Sequence, residues 1–217
     1  MSTADHHIHV VSFDVPYPPT YGGVIDVYYK IKALHAKGVK VHLHCFQYGR
    51  EESSHLESLC EEVKYYPRNV SRAQLFTRLP YIVISRNSEK LIQELANDSY
   101  PILFEGLHTC GMLDDPRLEG RFKMVRTHNV ESDYYRSLAK VERNVFKRYY
   151  FHNEASKLEA FEPVLGKADA IAAFGSAPRR ILGVVFAADS DNTGESADSY
   201  FAIPLLQHPL TDDSTSP

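Results

Sequence analysis

The chain has 217 residues, of which 43% are hydrophobic and 24% charged, and its net charge is −4. That length supports one domain with a sizeable core, or one plus part of a second, and the composition excludes a mainly disordered, collagenous or coiled-coil chain. The bulk charge gives nucleic acid no attraction, and no apolar run approaches the ~18 residues of a membrane span. Cys45, Cys60 and Cys110 are an odd, sparse set with neither zinc spacing nor a disulfide framework, which fits a reducing compartment. The polar opening lacks the cationic and apolar regions of a signal peptide, so a cytoplasmic location is expected.

Residues 8–13 form a short apolar run and predict a first strand. A Pro-rich loop follows, ending in Tyr21, Gly22 and Gly23. Val24, Val27, Tyr28, Ile31 and Leu34 then recur at helical spacing, and Gly38 is a helix stop. Residues 39–46 alternate as a strand. A weaker strand is expected at 63–66, a helix at 88–96, and strands at 101–105 and 122–127. Helical patterns cover about 132–150 and 155–165, and residues 168–174 read as a last strand. Strands separated by helix-length segments predict an α/β, doubly wound, mostly parallel sheet. Residues 1–173 form that domain in this reading. Residues 174–217 carry six acids and two bases, which is all of the net charge, and read as a divergent, loop-like or disordered tail in which only 180–188 and 200–206 look able to pack.

Four groups of residues bear on chemistry. Gly22 and Gly23 open a helix directly after a strand and loop, a place where backbone N–H groups and the helix N-terminus can meet a phosphate; a plain turn is the bland alternative. The three-glycine dinucleotide fingerprint and the Walker lysine are both missing. His42 and His44 share a strand face, as do His7 and His9, but no nearby carboxylate completes a ligand set, so ordinary strand residues are expected and no metal. Arg126-Thr127-His128-Asn129-Val130-Glu131 puts His128 at the C-terminal rim of a strand, where an imidazole can reach a substrate, with Glu131 able to orient it or to cap the next helix. Glu105 and His108 follow another strand and are placed to touch a polar ligand, against a loop held by local hydrogen bonds. Residues 121–148 carry eight bases against three acids with interleaved aromatics. Contact with anionic lipid or a phosphorylated acceptor is one reading, and an amphipathic helix with solvated bases and a buried aromatic stripe is the other.

Taken in order, these segments resemble a known family. The run from Val11 through Pro16, Tyr17, Pro18, Pro19 and Tyr21 to Gly22 and Gly23, then Gly106-Leu107-His108, the His128 segment and Lys167-Ala168-Asp169-Ala170, together resemble the N-terminal half of a GT-B glycosyltransferase of the family-four type. Bacterial sugar transferases of surface-polysaccharide clusters are most similar, over about residues 7–173. The resemblance implies a Rossmann-like acceptor-side domain of a retaining enzyme that uses a nucleotide-sugar as co-substrate and needs neither metal nor other cofactor. It implies that Gly22 and Gly23 lie against the donor diphosphate, that the catalytic His128 sits near the transferred sugar, and that the glycan or glycolipid acceptor lies among Tyr21, Glu105, His108, Asn129 and Glu131. Peripheral contact at the inner face of the membrane is a further expectation. The 44 residues after 173 are too few for the family's donor domain. A truncated chain, a frameshift or an alternative fusion would each produce this, and a disrupted reading frame, leaving a half that is inactive alone, is the expectation. A non-catalytic binding subunit or interaction module of the same fold is the alternative.

Overall fold

The apolar run near the start of the chain becomes the centre of a sheet. In a computed structural model, which describes residues 6–173 and 185–186, β1 (His7–Ser12) pairs in parallel with β2 (Lys40–Gln47) on one side and with β4 (Ile102–Glu105) on the other. β3 (Glu62–Pro67) extends the first side, and β5 (Lys123–Thr127) and β6 (Ala170–Ala173) extend the second. A two-residue β7 (Val185–Phe186) closes the β6 edge in antiparallel sense. The order is β3-β2-β1-β4-β5-β6-β7. The fold is therefore the expected α/β Rossmann-like arrangement, and the direction of winding reverses between β1 and β4. The proposed tail lies outside the described residues, apart from β7.

Burial on both faces follows from the residues. Val10 and Leu103 face one layer and Val11 and Phe104 the other, and all four are buried. Helix α1 (Gly22–Ala36) covers the first face with Val24, Val27, Ile31 and Leu34, assisted by Leu56 of α2 (Ser54–Leu59). Each fully buried aliphatic of this kind contributes roughly 1.5–3 kcal/mol. The second face is covered by the short α3 (Tyr81–Ile84), by α4 (Glu89–Leu95), and by Leu158 of α6 (Val145–Phe161). Cys45 and Cys110 are buried free thiols whose pKa burial raises, and Cys60 is pushed up to about 12, so none is a reactive thiolate.

Two local features differ from the sequence expectation. The helical pattern drawn through 132–150 is two helices, α5 (Glu131–Val141) and α6, because Asn144 intervenes as an N-cap: its Oδ1 accepts from the backbone N–H of Phe146 and of Lys147. The buried aromatic stripe is only partly realised. Tyr135 and Phe151 pack edge to face at 6.0 Å, whereas Phe146 and Tyr149 are 83% and 74% exposed.

The strand histidines are neither isolated nor gathered around a metal-sized space. His9 Nδ1 lies 2.9 Å from His44 Nε2, His44 Nδ1 lies 2.9 Å from the Tyr66 hydroxyl, and His9 Nε2 lies 2.9 Å from an Asp98 oxygen. One consistent assignment has Tyr66 donating to His44, His44 to His9, and His9 to Asp98, with both imidazoles neutral. Burial lowers the pKa of His9 and holds that of His44 well below the ordinary value, which suits this assignment. The carboxylate that looked missing is supplied from 89 residues away.

Candidate functional site

The winding reverses between β1 and β4, and in open α/β sheets the crevice that takes ligands lies at the carboxyl ends of the strands at such a reversal. One wall is the loop after β1 and the start of α1. Tyr21 is the N-cap residue, in extended conformation, and its hydroxyl donates to Asp14 Oδ2 at 2.8 Å. Burial and then that bond push the Tyr21 pKa to about 12. Gly23 is glycine because a Cβ there would sit 2.6 Å from Phe13 Cζ, whereas a Cβ on Gly22 would meet nothing within 4 Å. The Gly-Gly pair thus combines a packing requirement at 23 with open space at 22, in front of a helix N-terminus.

The opposite wall comes from the ends of β4 and β5. Gly106 has φ +76, which glycine adopts freely, and it lets His108 fold back: a Cβ at 106 would lie 2.9 Å from His108 Nδ1. His108 Nδ1 is buried without a hydrogen-bond partner, and burial holds its imidazole well below the usual pKa and therefore neutral. The Phe13 ring lies 5.3 Å from the His108 ring and 5.7 Å, edge on, from that of His128. Phe13 therefore connects the two walls.

His128 stands between two carboxylates. Its Nδ1 is 3.6 Å from Asp26 Oδ2 and its Nε2 is 3.5 Å from Glu105 Oε2. Lys30 also reaches both acids, at 2.6 Å from Glu105 Oε1 and 3.2 Å from Asp26 Oδ2, and Arg126 Nε reaches Asp26 at 3.3 Å. Burial alone would raise the pKa of both acids. Lys30 with His128 outweighs it at Glu105, and Lys30, Arg126 and His128 outweigh it at Asp26, so both are held below the usual carboxylate range. Asp26, Glu105 and His128 are the described residues whose ligand atoms cluster closely enough to hold a metal ion, all lying within 4.8 Å of one another. The positive charge that an ion would bring is already supplied by Lys30 and Arg126, and a cation would have to displace the Lys30 ammonium.

The structure sorts the residues singled out in the sequence. Tyr21, Gly22 and Gly23 lie at the start of α1, Glu105 ends β4, and His108 and His128 follow β4 and β5, so all six lie at the carboxyl side of the sheet. Glu105 is fully buried, and its neighbours are Lys30 and His128 rather than solvent. Asn129, next to His128 in the chain, is exposed. Glu131 is buried in the first turn of α5, and burial raises its pKa against the pull of His128. It is therefore a helix-start residue, while Asp26 and Glu105 are the acids that face the imidazole nitrogens. Asp26 and Lys30 are the residues of this cluster that sequence reasoning did not single out, and Arg126 stood there only as the first residue of the His128 segment. Their only signal is the i,i+4 spacing of Asp26 and Lys30, which ordinarily marks a solvated helix face.

Among the described residues, no helix is long and apolar enough to cross a membrane. No family model matches the chain. A Klebsiella pneumoniae protein described as an uncharacterized 44.6 kDa protein in the cps region is 30% identical over 154 residues. The match takes in 68% of this chain and 39% of that protein, so the chain spans about two fifths of the relative's length.

Proposed function

We propose that the chain is the acceptor-side half of a retaining glycosyltransferase of the family-four type, acting in polysaccharide assembly. The observation that carries this reading is the β1–β4 reversal, where Phe13 packs both against Gly23 of the helix N-terminus and against the His128 ring. Backbone N–H groups at Gly22 and Gly23 suit a diphosphate leaving group, and the open space at Gly22 lets it approach. His128 is the group nearest the transferred sugar, set by Asp26 on one nitrogen and Glu105 on the other. Tyr21, His108 and Asn129 flank the space left for the acceptor. The location of the relative in a cps region, a capsular-polysaccharide locus, supports the polysaccharide context. The co-substrate would be a nucleotide-sugar, and its nucleotide would be held by a second domain, such as the part of the relative that this chain does not match.

The reading extends to peripheral contact with an anionic membrane. Val141, Val145, Phe146 and Tyr149 are exposed around the turn between α5 and α6, among Lys140, Arg143, Lys147 and Arg148. Apolar side chains flanked by bases suit a headgroup layer.

The test is transfer of labelled sugar from nucleotide-sugars to a polyprenyl-linked acceptor extract. The chain is assayed together with the unmatched C-terminal part of the relative, supplied as a separate polypeptide. Incorporation that disappears in His128→Ala supports the reading. No incorporation with any nucleotide-sugar, from two polypeptides shown to associate, refutes it.

A further inference from the structure

Beside the crevice, two arginines have no carboxylate within ion-pair distance among the described residues. Arg86 is 6% exposed, and it donates from Nε to the Phe13 carbonyl at 2.8 Å and from Nη1 to the Ile82 carbonyl at 2.7 Å. Both acceptors are neutral oxygens. Its Nη2 has no hydrogen-bond partner among the described residues and is not fully buried, so solvent reaches it. Arg68, at the C-terminal end of β3, donates from Nε to Ser85 Oγ at 3.0 Å, and its two Nη atoms are likewise reachable and unpaired. Its guanidinium is held over the Tyr48 ring at 4.7 Å and over the Tyr81 ring at 5.5 Å to the centroid.

The two guanidinia are close enough for each other's charge to matter. Burial first, and then the charge of Arg68, bring the pKa of Arg86 down to about 10. The acids nearest Arg86 do not resolve this. Asp14 accepts from the Tyr21 hydroxyl and from the Val15 N–H, and Glu131 is driven toward its neutral form by burial. A buried guanidinium bonded only to carbonyls is costly unless an anion completes it. A purely structural arginine clasping the end of α3 and the β1 loop would gain most from a carboxylate beside it. Here Arg68 is instead tied to Ser85, the residue before Arg86, and Arg86 is tied to Phe13, whose ring lies against those of His108 and His128.

We propose that Arg68 and Arg86 form a subsite for the phosphate group of a phosphorylated ligand, one step from the His128 crevice. Planar forks with several free N–H donors match phosphate oxygens, and two cations match a dianion or a diphosphate. The tyrosine rings fix the Arg68 fork in advance, which lowers the ordering entropy of binding. That the ligand is the sugar acceptor rests on the glycosyl-transfer reading, whereas the subsite itself does not.

The experiment is calorimetric titration of the purified chain with inorganic pyrophosphate and, separately, with a short-chain isoprenyl diphosphate. Both are expected to bind at low salt, with affinity falling about tenfold in Arg68→Gln and less in Arg68→Lys. Arg68 is half-buried and its substitution leaves the core intact; circular dichroism confirms folding. Arg117→Gln is the control, since Glu89 and Asp115 already pair that guanidinium, and it leaves binding unchanged. Tighter binding of the isoprenyl compound identifies a lipid-borne phosphate, and equal binding identifies a water-soluble one. No binding by the natural chain, or equal affinity in Arg68→Gln, overturns the subsite. Arg68-dependent binding alongside failed sugar transfer overturns only the glycosyl-transfer reading.

Discussion

Replacing Lys30 by Met tests the charge cluster under the crevice. The ammonium is 2.6 Å from a Glu105 oxygen, and the two side chains are 10% and 0% exposed, so solvent screens the pair little. Removing one partner of a buried ion pair leaves an uncompensated charge and costs about 3–5 kcal/mol. His128 stands 3.5 Å from the other Glu105 oxygen and takes up part of that charge, which places the expected loss near the lower end, about 3 kcal/mol. In a domain of this size that lowers the melting temperature by roughly 6–12 °C. Urea denaturation followed by circular dichroism measures it, and Lys30→Met with Glu105→Gln should recover most of the loss, because Glu105 then carries no uncompensated charge and Asp26 keeps Arg126 as its partner. The pH dependence adds a second readout. In the natural chain the Glu105 pKa is held below its unfolded value, so its stabilisation is present above the unfolded pKa and lost as pH falls through the folded one. Without Lys30, burial dominates and raises the folded pKa above the unfolded value. The deficit of the variant is then largest at neutral pH and shrinks as pH falls toward about 4.5. A Lys30→Met protein within about 0.5 kcal/mol of the natural one, or a deficit unchanged between neutral pH and about pH 5, would refute the reasoning.

Other expectations follow from the same contacts. Gly23→Val drives a side chain into Phe13 and should lower stability by about 1–3 kcal/mol, whereas Gly22→Ala should leave the melting temperature nearly unchanged and act on ligand binding instead. The His9–His44 pair stays neutral in the fold and charges when unfolded. Stability should therefore fall as pH drops below about 6.5, and His44→Gln should flatten that slope in denaturation curves recorded from neutral pH downward. Phe146→Ser should reduce co-sedimentation with anionic vesicles without changing the melting temperature, and a salt-insensitive residue of binding equal to that of the natural chain would count against membrane contact.

The sheet was legible because each strand is a short apolar run bounded by polar loops, and the crevice was legible because Gly22, Glu105, His108 and His128 all follow such runs. What the sequence concealed was long-range charge pairing. Asp26 and Lys30 lie one turn apart in α1 and look solvated, but the first turns of that helix lie across the ends of β4 and β5, which buries both side chains against Glu105 and Arg126. Asp98 was hidden from the histidines in the same way, by a partner distant in sequence. Nothing in the local sequence marks Arg86, and only its burial against carbonyls shows an unmet charge. The turn between α5 and α6 was overlooked because an apolar period can run through a three-residue break, although Asn144 was in place as a cap.

The position of β1 also bears on how the protein is made. Its second neighbour, β4, pairs His9 with Ile102, so about ninety residues must follow before that side of β1 is covered. At roughly 5–20 residues per second, the edge carrying Val10 and Val11 stays open on the ribosome for ~5–20 s, with unpaired backbone groups that template foreign strands. The crevice cannot exist earlier either, since its second wall waits for β4 and β5. Slower translation downstream of β3 should therefore raise the aggregated fraction more than the same delay placed after β6.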